Sequence, residues 1–92
     1  MSAVYDNTAR RRYEMDVDGL TALITYEVGP DRITLMHTEV PRALSGRGIG
    51  SALARGVLDD IRGRGLHVVP RCEFMAGFID RNPAYADLLA GA

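Results

Sequence analysis

The first third of the chain alternates between apolar and polar residues. A period of two runs over residues 12–17 and again over residues 21–28, and this period predicts two half-buried β-strands. Asp18-Gly19 lies between them and tolerates the positive φ angles of a tight hairpin turn. The two strands are therefore expected to pair in antiparallel fashion.

A third strand is predicted over residues 32–40, which are rich in β-branched residues and apolar on both faces. Pro41 ends it, because proline cannot donate to a central ladder. The three strands form an antiparallel meander. Residues 1–10 have no comparable pattern and are interpreted as a loosely ordered lead-in to a single domain that spans residues 1–92.

The spacing changes at Gly46, where apolar residues begin to recur every four positions. This spacing predicts an amphipathic helix that Gly63 or Gly65 ends. A short apolar run over residues 66–69 predicts a fourth strand, and spacings of three and four over residues 74–79 predict a second helix. Asn82-Pro83 interrupts that helix, and one more helical turn or two is expected near the C-terminus.

The element order is therefore β-β-β-α-β-α. The helix between the third and fourth strands acts as a crossover, which makes these strands parallel neighbours. We expect a mixed α/β (α+β) fold, with helices on the faces of one sheet.

Composition narrows the class of protein. A chain of 92 residues with a net charge of −1 has no global field that attracts nucleic acid or anionic lipid. The only cysteine is Cys72, so no internal disulfide forms, and neither a signal peptide nor a membrane-length apolar run is evident. The two histidines and Cys72 match no zinc pattern. We expect a cytoplasmic protein without a metal.

The segment Ser45–Ser51 joins a strand to a helix and contains three glycines. Amide groups at a helix start lack internal partners and carry partial positive charge, so glycines there let several N–H groups approach a phosphate. A loop that needs glycine only to turn is the alternative. The P-loop pattern is excluded because no lysine is near, and the dinucleotide fingerprint is excluded because Ser51 replaces its third glycine.

Four segments carry a resemblance to a known family. His37-Thr38-Glu39-Val40-Pro41 and Gly46-Arg47-Gly48-Ile49-Gly50-Ser51-Ala52-Leu53 resemble the acetyl-coenzyme A binding motif A of the GNAT superfamily of N-acetyltransferases. Val69-Pro70-Arg71-Cys72-Glu73-Phe74 and Arg81-Asn82-Pro83-Ala84-Tyr85 are similar to its small, single-domain YjdJ-type branch. The similarity extends from about Tyr13 to Leu88.

This resemblance implies how the chain holds acetyl-coenzyme A. The third and fourth strands would splay apart, with pantetheine beside the backbone of Glu39 and Val40 and the diphosphate on the turn. The implied cofactor-binding residues are Glu39, Val40, Ser45, Gly46, Arg47, Gly48, Ile49, Gly50, Ser51, Asn82 and Tyr85. Ser45 departs from the family, which usually has Gln or Arg there; Arg42 or Arg47 could replace the missing charge.

Cys72 is the leading candidate for chemistry. It is expected at a helix start, where the dipole stabilises a thiolate, and the resemblance to the YjdJ-type branch implies that it faces the acetyl thioester. It could accept the acetyl group covalently, or protonate the departing coenzyme A thiolate. The alternative is a small buried hydrophobe. His37 and Glu39 are candidate bases for an amine and are expected on the strand face that carries Ile33 and Leu35.

The main functional hypothesis is an N-acetyltransferase that moves acetyl from acetyl-coenzyme A to an amine. The acceptor could be a small amine, a polyamine, a protein amino terminus or a lysine. We expect the chain to lack the N-terminal helices that build the acceptor pocket in larger family members, so the acceptor site would be open, completed by a protein partner, or absent. One alternative is a non-catalytic acyl-coenzyme A sensor that acts through such a partner, and another is a domain whose glycine turn binds a nucleotide.

Overall fold

A computed structural model describes residues 3–91 as one five-stranded sheet with two α-helices. The elements in chain order are β1 (Tyr5–Asn7), β2 (Arg12–Val17), β3 (Leu20–Val28), β4 (Arg32–Glu39), α1 (Ile49–Gly63), β5 (His67–Pro70) and α2 (Glu73–Arg81). Single 3₁₀ segments cover Thr8–Arg10, Arg42–Leu44 and Pro83–Leu88.

The strands lie in the sheet in chain order. β1 to β4 form antiparallel neighbours, whereas β4 and β5 are parallel because α1 crosses over between them. The outer edge of β5 is covered in turn, since Val68 bridges to Leu89 and accepts a hydrogen bond from the amide of Ala90. The expected mixed fold with one parallel pair is confirmed.

The N-terminal segment differs from the loose lead-in that the sequence predicts. Residues 5–7 form β1, which pairs with β2, and residues 8–10 form a 3₁₀ turn. Polar contacts hold β1 in place. Tyr5 donates to Glu14 over 2.6 Å, and Asp6 accepts from Tyr26 over 2.5 Å and pairs with Arg64 over 2.9 Å. These partners come from elsewhere in the chain, so no local pattern predicts the strand. Residues 1 and 2 lie outside the described part.

Both helices pack on one face of the sheet, although helices on both faces were expected. α1 and α2 contact each other and share one core with alternate residues of the strands. The fully buried part of that core includes Tyr13, Met15, Ala22, Ile24, Ile33, Leu35, Leu53, Val57, Ile61, Val68 and Met75. No element among residues 3–91 covers the opposite face, which we call the open face.

A β-bulge in β4 reverses the strand's alternation. Leu35 pairs with Tyr26 and His37 pairs with Thr25, so Met36 is an extra residue without a partner on β3. Directly paired residues share a face. Thr38, opposite buried Ile24, therefore faces the helices, while His37 lies on the open face.

The expectation that His37 and Glu39 share the face of Ile33 and Leu35 is wrong. The two polar residues do share one face, but it is the open face, because Met36 shifts the alternation by one position.

Candidate functional site

The parallel pairing of β4 and β5 stops in the middle of β4. Its last pair is Leu35 with Pro70, after which the amides of Arg71 and Cys72 both donate to the carbonyl of Leu35, over 2.9 and 3.3 Å. β4 continues to Glu39 while paired only with β3. The β5-side edge of residues 36–39 therefore has no strand partner among residues 3–91. This edge and the start of α2 border a gap in the sheet, as expected for splayed strands.

Cys72 lies at this gap. It occupies the cap position directly before α2, as the sequence predicts, and is half-buried against the core. Its Sγ atom lies 3.2 Å from Oγ1 of Thr38 on β4, and either atom can donate the hydrogen bond. The bulge at Met36 makes this contact possible, because it turns Thr38 toward the helices. Thr38 was not assigned a role from sequence, since simple alternation places it on the opposite face.

The glycine turn lies at the start of α1. Gly46 and Gly48 have φ angles of 76° and 73°, and a Cβ atom on either would meet no protein atom within 4 Å. The first helical hydrogen bond runs from the amide of Ala52 to the carbonyl of Gly48. The amides of Ile49, Gly50 and Ser51 are left without an acceptor from residues 3–91.

An anion fits this turn on three counts. The amide hydrogens at the helix start are unpaired, the left-handed glycines leave open space beside them, and the first turn of α1 contains no acidic residue. The diphosphate of coenzyme A has the charge and oxygen acceptors that such a turn binds. The residues present therefore suit the cofactor that the sequence motif implies.

Gly50 brings the starts of the two helices together. A Cβ atom at this position would lie 3.0 Å from Cζ and 3.3 Å from Cε1 of Phe74 on α2, and 3.7 Å from Cγ2 of Val40. The absence of a side chain therefore lets the Phe74 ring pack directly on the first turn of α1. Phe74, which the spacing over residues 74–79 places on the second helix, thereby sets the distance between the glycine turn and the helix start that carries Cys72.

The basic residue of the glycine turn has a protein partner of its own. Arg47 donates from Nη1 to Oδ2 of Asp18 over 2.7 Å, across to the β2–β3 hairpin turn. The hydroxyl of Ser45 donates to the carbonyl of Arg42, so this short side chain stabilises the bend that leads into the turn. From sequence, Asp18 was assigned only to the hairpin turn, and no local signal predicts its contact with Arg47, which lies 29 residues away.

His37 and Glu39 lie on the open face, away from Cys72. Nε2 of His37 approaches Oε2 of Glu39 to 3.4 Å, and both side chains are 62% exposed. They come from the part of β4 that pairs with β3 but not with β5, so they flank the gap from the side opposite to Thr38. Val40 packs at the same end, next to Gly50. The candidate base residues and the candidate thiol thus belong to different faces of the sheet.

Asn82 and Tyr85 contact residues of α1 that follow its first turn. Asn82 caps α2 by donating to the carbonyl of Phe78 over 2.7 Å and accepts from Arg55. Tyr85 donates to Asp59 over 3.0 Å, and burial together with this bond raises its pKa. Asp59 is eight residues after Ser51, or about 12 Å along the helix. Both residues attach the C-terminal segment to α1, and their part in cofactor binding stays a prediction.

Two further findings concern the described residues. No helix between residues 3 and 91 has both the length and the apolar character needed to cross a membrane. The same residues contain no group of three or more His, Cys, Asp or Glu side chains arranged to hold a metal ion.

Comparison with known proteins points to one family. The family model of the GCN5-related N-acetyl-transferases matches residues 12–88. Over 77 residues the chain is 36% identical to Protein NATD1 of Bos taurus and 35% identical to Protein NATD1 of Homo sapiens, which covers 80% of this chain and 68% of each relative. The NMR structure of a GCN5-like N-acetyltransferase candidate from Staphylococcus aureus is similar with a TM-score of 0.73 and 26% identity, covering 100% of this chain and 93% of that one.

Proposed function

The chain belongs to the GCN5-related N-acetyltransferase family, and we propose that it transfers the acetyl group of acetyl-coenzyme A to the nitrogen of an amine. The observation that carries the proposal is the gap beside residues 36–39, which lies between an unpaired helix start and a half-buried cysteine. Bound acetyl-coenzyme A supplies the acetyl group as a thioester that a neutral amine attacks.

In this proposal the glycine turn anchors the diphosphate through the amides of Gly46 to Ser51, with the strongest contribution from the free amides of Ile49, Gly50 and Ser51. The unpaired backbone edge at Glu39 and Val40 orients the pantetheine arm. This anchoring restricts the position of the thioester and lowers the entropic cost of the reaction.

Cys72 and the pair on the open face have separate roles in the proposal. The thiol of Cys72, hydrogen-bonded to Thr38, holds a proton that can pass to the departing sulfur. His37 or Glu39 removes a proton from the amine on the open face, directly or through water. Donor and acceptor then approach the gap from opposite faces, which supports direct transfer without an acetyl-cysteine intermediate.

A change at Ser51 tests the phosphate anchor. Ser51 is exposed on the first turn of α1. A carboxylate there is stabilised by the helix dipole but repels a diphosphate. We expect Ser51→Glu to retain or raise the unfolding temperature while weakening coenzyme A binding, measured by calorimetry, by about tenfold or more. Ser51→Gln, which has the same shape without the charge, should bind nearly as the wild type does. Unchanged affinity in folded Ser51→Glu would falsify the anchor.

Catalysis is tested separately by following free thiol release from acetyl-coenzyme A with small amines, polyamines and peptides bearing free amino termini or lysines. Release with any of them supports the transferase. The alternative is a module that binds acyl-coenzyme A and acts through a protein partner. The open face favours this alternative, because no element among residues 3–91 covers it to form the wall of an acceptor pocket. Tight binding without release on every amine supports that alternative. Equal affinity for ATP and coenzyme A would instead indicate a nucleotide site.

A further inference from the structure

The ion pair between Arg47 and Asp18 joins the glycine turn to the β2–β3 hairpin. Leu23 of β3 pairs with Glu39, so the hairpin turn that precedes β3 lies at the end of the sheet where β4 runs into the glycine turn. Asp18 has a φ angle of 51°, and the tight turn fixes its position at this end. Its carboxylate reaches Arg47 over 2.7 Å.

Arg47 is the cation placed within the turn itself, directly before the cap residue Gly48. Both partners of the pair are about half exposed, at 49% for Arg47 and 65% for Asp18. An exposed ion pair of this kind contributes little to stability and is readily exchanged for another anion. A phosphate group carries more charge than a carboxylate and forms stronger hydrogen bonds with a guanidinium.

From these contacts we infer that Asp18 is an internal competitor for the anion site: it binds Arg47 when the turn holds no phosphate, and the diphosphate of coenzyme A displaces it. This inference rests on the proposed function. Asp18 thereby lowers affinity in two ways, by engaging the guanidinium and by adding a negative charge beside the phosphates. The first turn of α1 has no acid of its own, so the hairpin supplies this charge from outside the helix.

The test compares two aspartates at opposite ends of the sheet. We expect Asp18→Asn to bind coenzyme A about two- to tenfold more tightly than the wild type in calorimetry at low salt. Asparagine tolerates the left-handed backbone of position 18, so the turn is preserved. Asp31→Asn is the matched control, since Asp31 is an equally exposed turn aspartate that pairs with Arg32 at the far end of the sheet. It should leave the affinity unchanged.

Pantetheine, which lacks phosphate, separates competition from a structural effect. Asp18→Asn should bind pantetheine as tightly as the wild type does, whereas a general change in the site would alter the affinity for both pantetheine and coenzyme A. The gain for coenzyme A should also shrink in an Arg47→Gln background, because no guanidinium is left to release. An equal gain in both backgrounds would reduce the effect to direct repulsion and overturn the competition.

Four other outcomes would contradict the inference. Weaker binding by Asp18→Asn would mean that Asp18 orients Arg47 toward the phosphate, which is the opposite of the inference. The same change in Asp31→Asn would reduce the effect to overall charge. If the wild type binds coenzyme A and Asp18→Asn binds it equally, only the role of Asp18 is lost. If the wild type has no affinity for coenzyme A, the proposed function fails first and the inference fails with it.

Discussion

Thr38 and Cys72 are 34 residues apart in sequence, and their side-chain oxygen and sulfur lie within 3.2 Å of each other. The contact spans the place where β4 and β5 separate. It depends on the extra residue Met36, which turns Thr38 toward the helices. It also depends on the carbonyl of Leu35, which accepts from the consecutive amides of Arg71 and Cys72 directly before α2. β4 thus holds the thiol of Cys72 at the start of α2, the helix that follows β5.

Replacing the cysteine tests whether this thiol takes part in transfer. We expect Cys72→Ala to lower the turnover number by about 10²–10⁴, the usual range for the loss of a general acid, while coenzyme A affinity is retained. Thr38→Val should lower it by about fivefold, because the thiol loses one hydrogen bond worth about 1 kcal/mol. Turnover is measured as free thiol release at saturating acetyl-coenzyme A.

Thr34→Val is the control for the strand. Thr34 lies on β4 before the bulge, opposite Glu27 on the open face, and should tolerate the change without loss of turnover. Wild-type turnover in Cys72→Ala with an active acceptor would exclude both the proton donor and a covalent acetyl-cysteine.

A side chain at Gly50 is expected to force the helix starts apart. Gly50→Val adds atoms where Phe74 already lies 3.0 Å from a single Cβ, and such overpacking costs about 1–3 kcal/mol. Gly63→Val is the matched control, because Gly63 ends α1 and a Cβ there meets nothing within 4 Å. Both variants exchange glycine for valine in a terminal turn of α1, so the difference in their free energies of unfolding, measured with denaturant, isolates the crowding.

The same variant reports on function. Gly50→Val should also bind coenzyme A more weakly, since the turn shifts relative to Val40, whereas Gly63→Val should bind normally. Equal stability of the two variants would show that the Phe74 ring moves aside without cost.

Alkaline pH should destabilise the fold through two buried tyrosines. Tyr13 donates to Asp60 over 2.6 Å, and burial followed by this bond raises its pKa. Burial and the bond to Asp6 raise the pKa of Tyr26 to about 12. Because the folded state keeps these protons longer than the unfolded state, their stabilising contribution is complete below pH about 10 and is lost as pH rises through the folded pKa values.

The measurement is the free energy of unfolding between pH 8 and pH 12. The chain contains no lysine, so no lysine side chain titrates alongside the tyrosines in this window. We expect stability to fall with a slope of about 1.4 kcal/mol per pH unit for each buried tyrosine above pH about 10. Tyr13→Phe should be less stable at pH 8 but show a shallower slope. An unchanged slope would mean that Tyr13 ionises as it does in the unfolded chain.

The sequence predicts those parts of the fold that depend on local periodicity. The alternation over residues 12–17 and 21–28 and the four-residue spacing after Gly46 correspond to β2, β3 and α1, because each pattern reflects one buried face. The short strand β1 escaped prediction for the converse reason. Asp6 is fixed by Arg64, which lies 58 residues away, and a polar contact of that span leaves no periodic signal.

The same distinction separates the features of the candidate site that the sequence predicts from those that it does not. The glycine turn and the position of Cys72 before α2 follow from residue types in short segments. The face of His37 does not, because one unpaired residue, Met36, inverts the alternation and nothing in its neighbours marks the bulge. The engagement of Arg47 by Asp18 is likewise a meeting of two loops, and only the arrangement of the sheet brings them together.

The two outer edges of the sheet, one short and one covered, limit the association of the molecule with its own copies. A strand with free N–H and C=O groups along its border invites a second chain to pair with it, and this begins aggregation. β1 offers only three residues at one border, and the contacts of Val68 with the C-terminal segment occupy the other. Shortening the chain at either terminus would therefore expose a longer ladder, and self-association would be the first property to change.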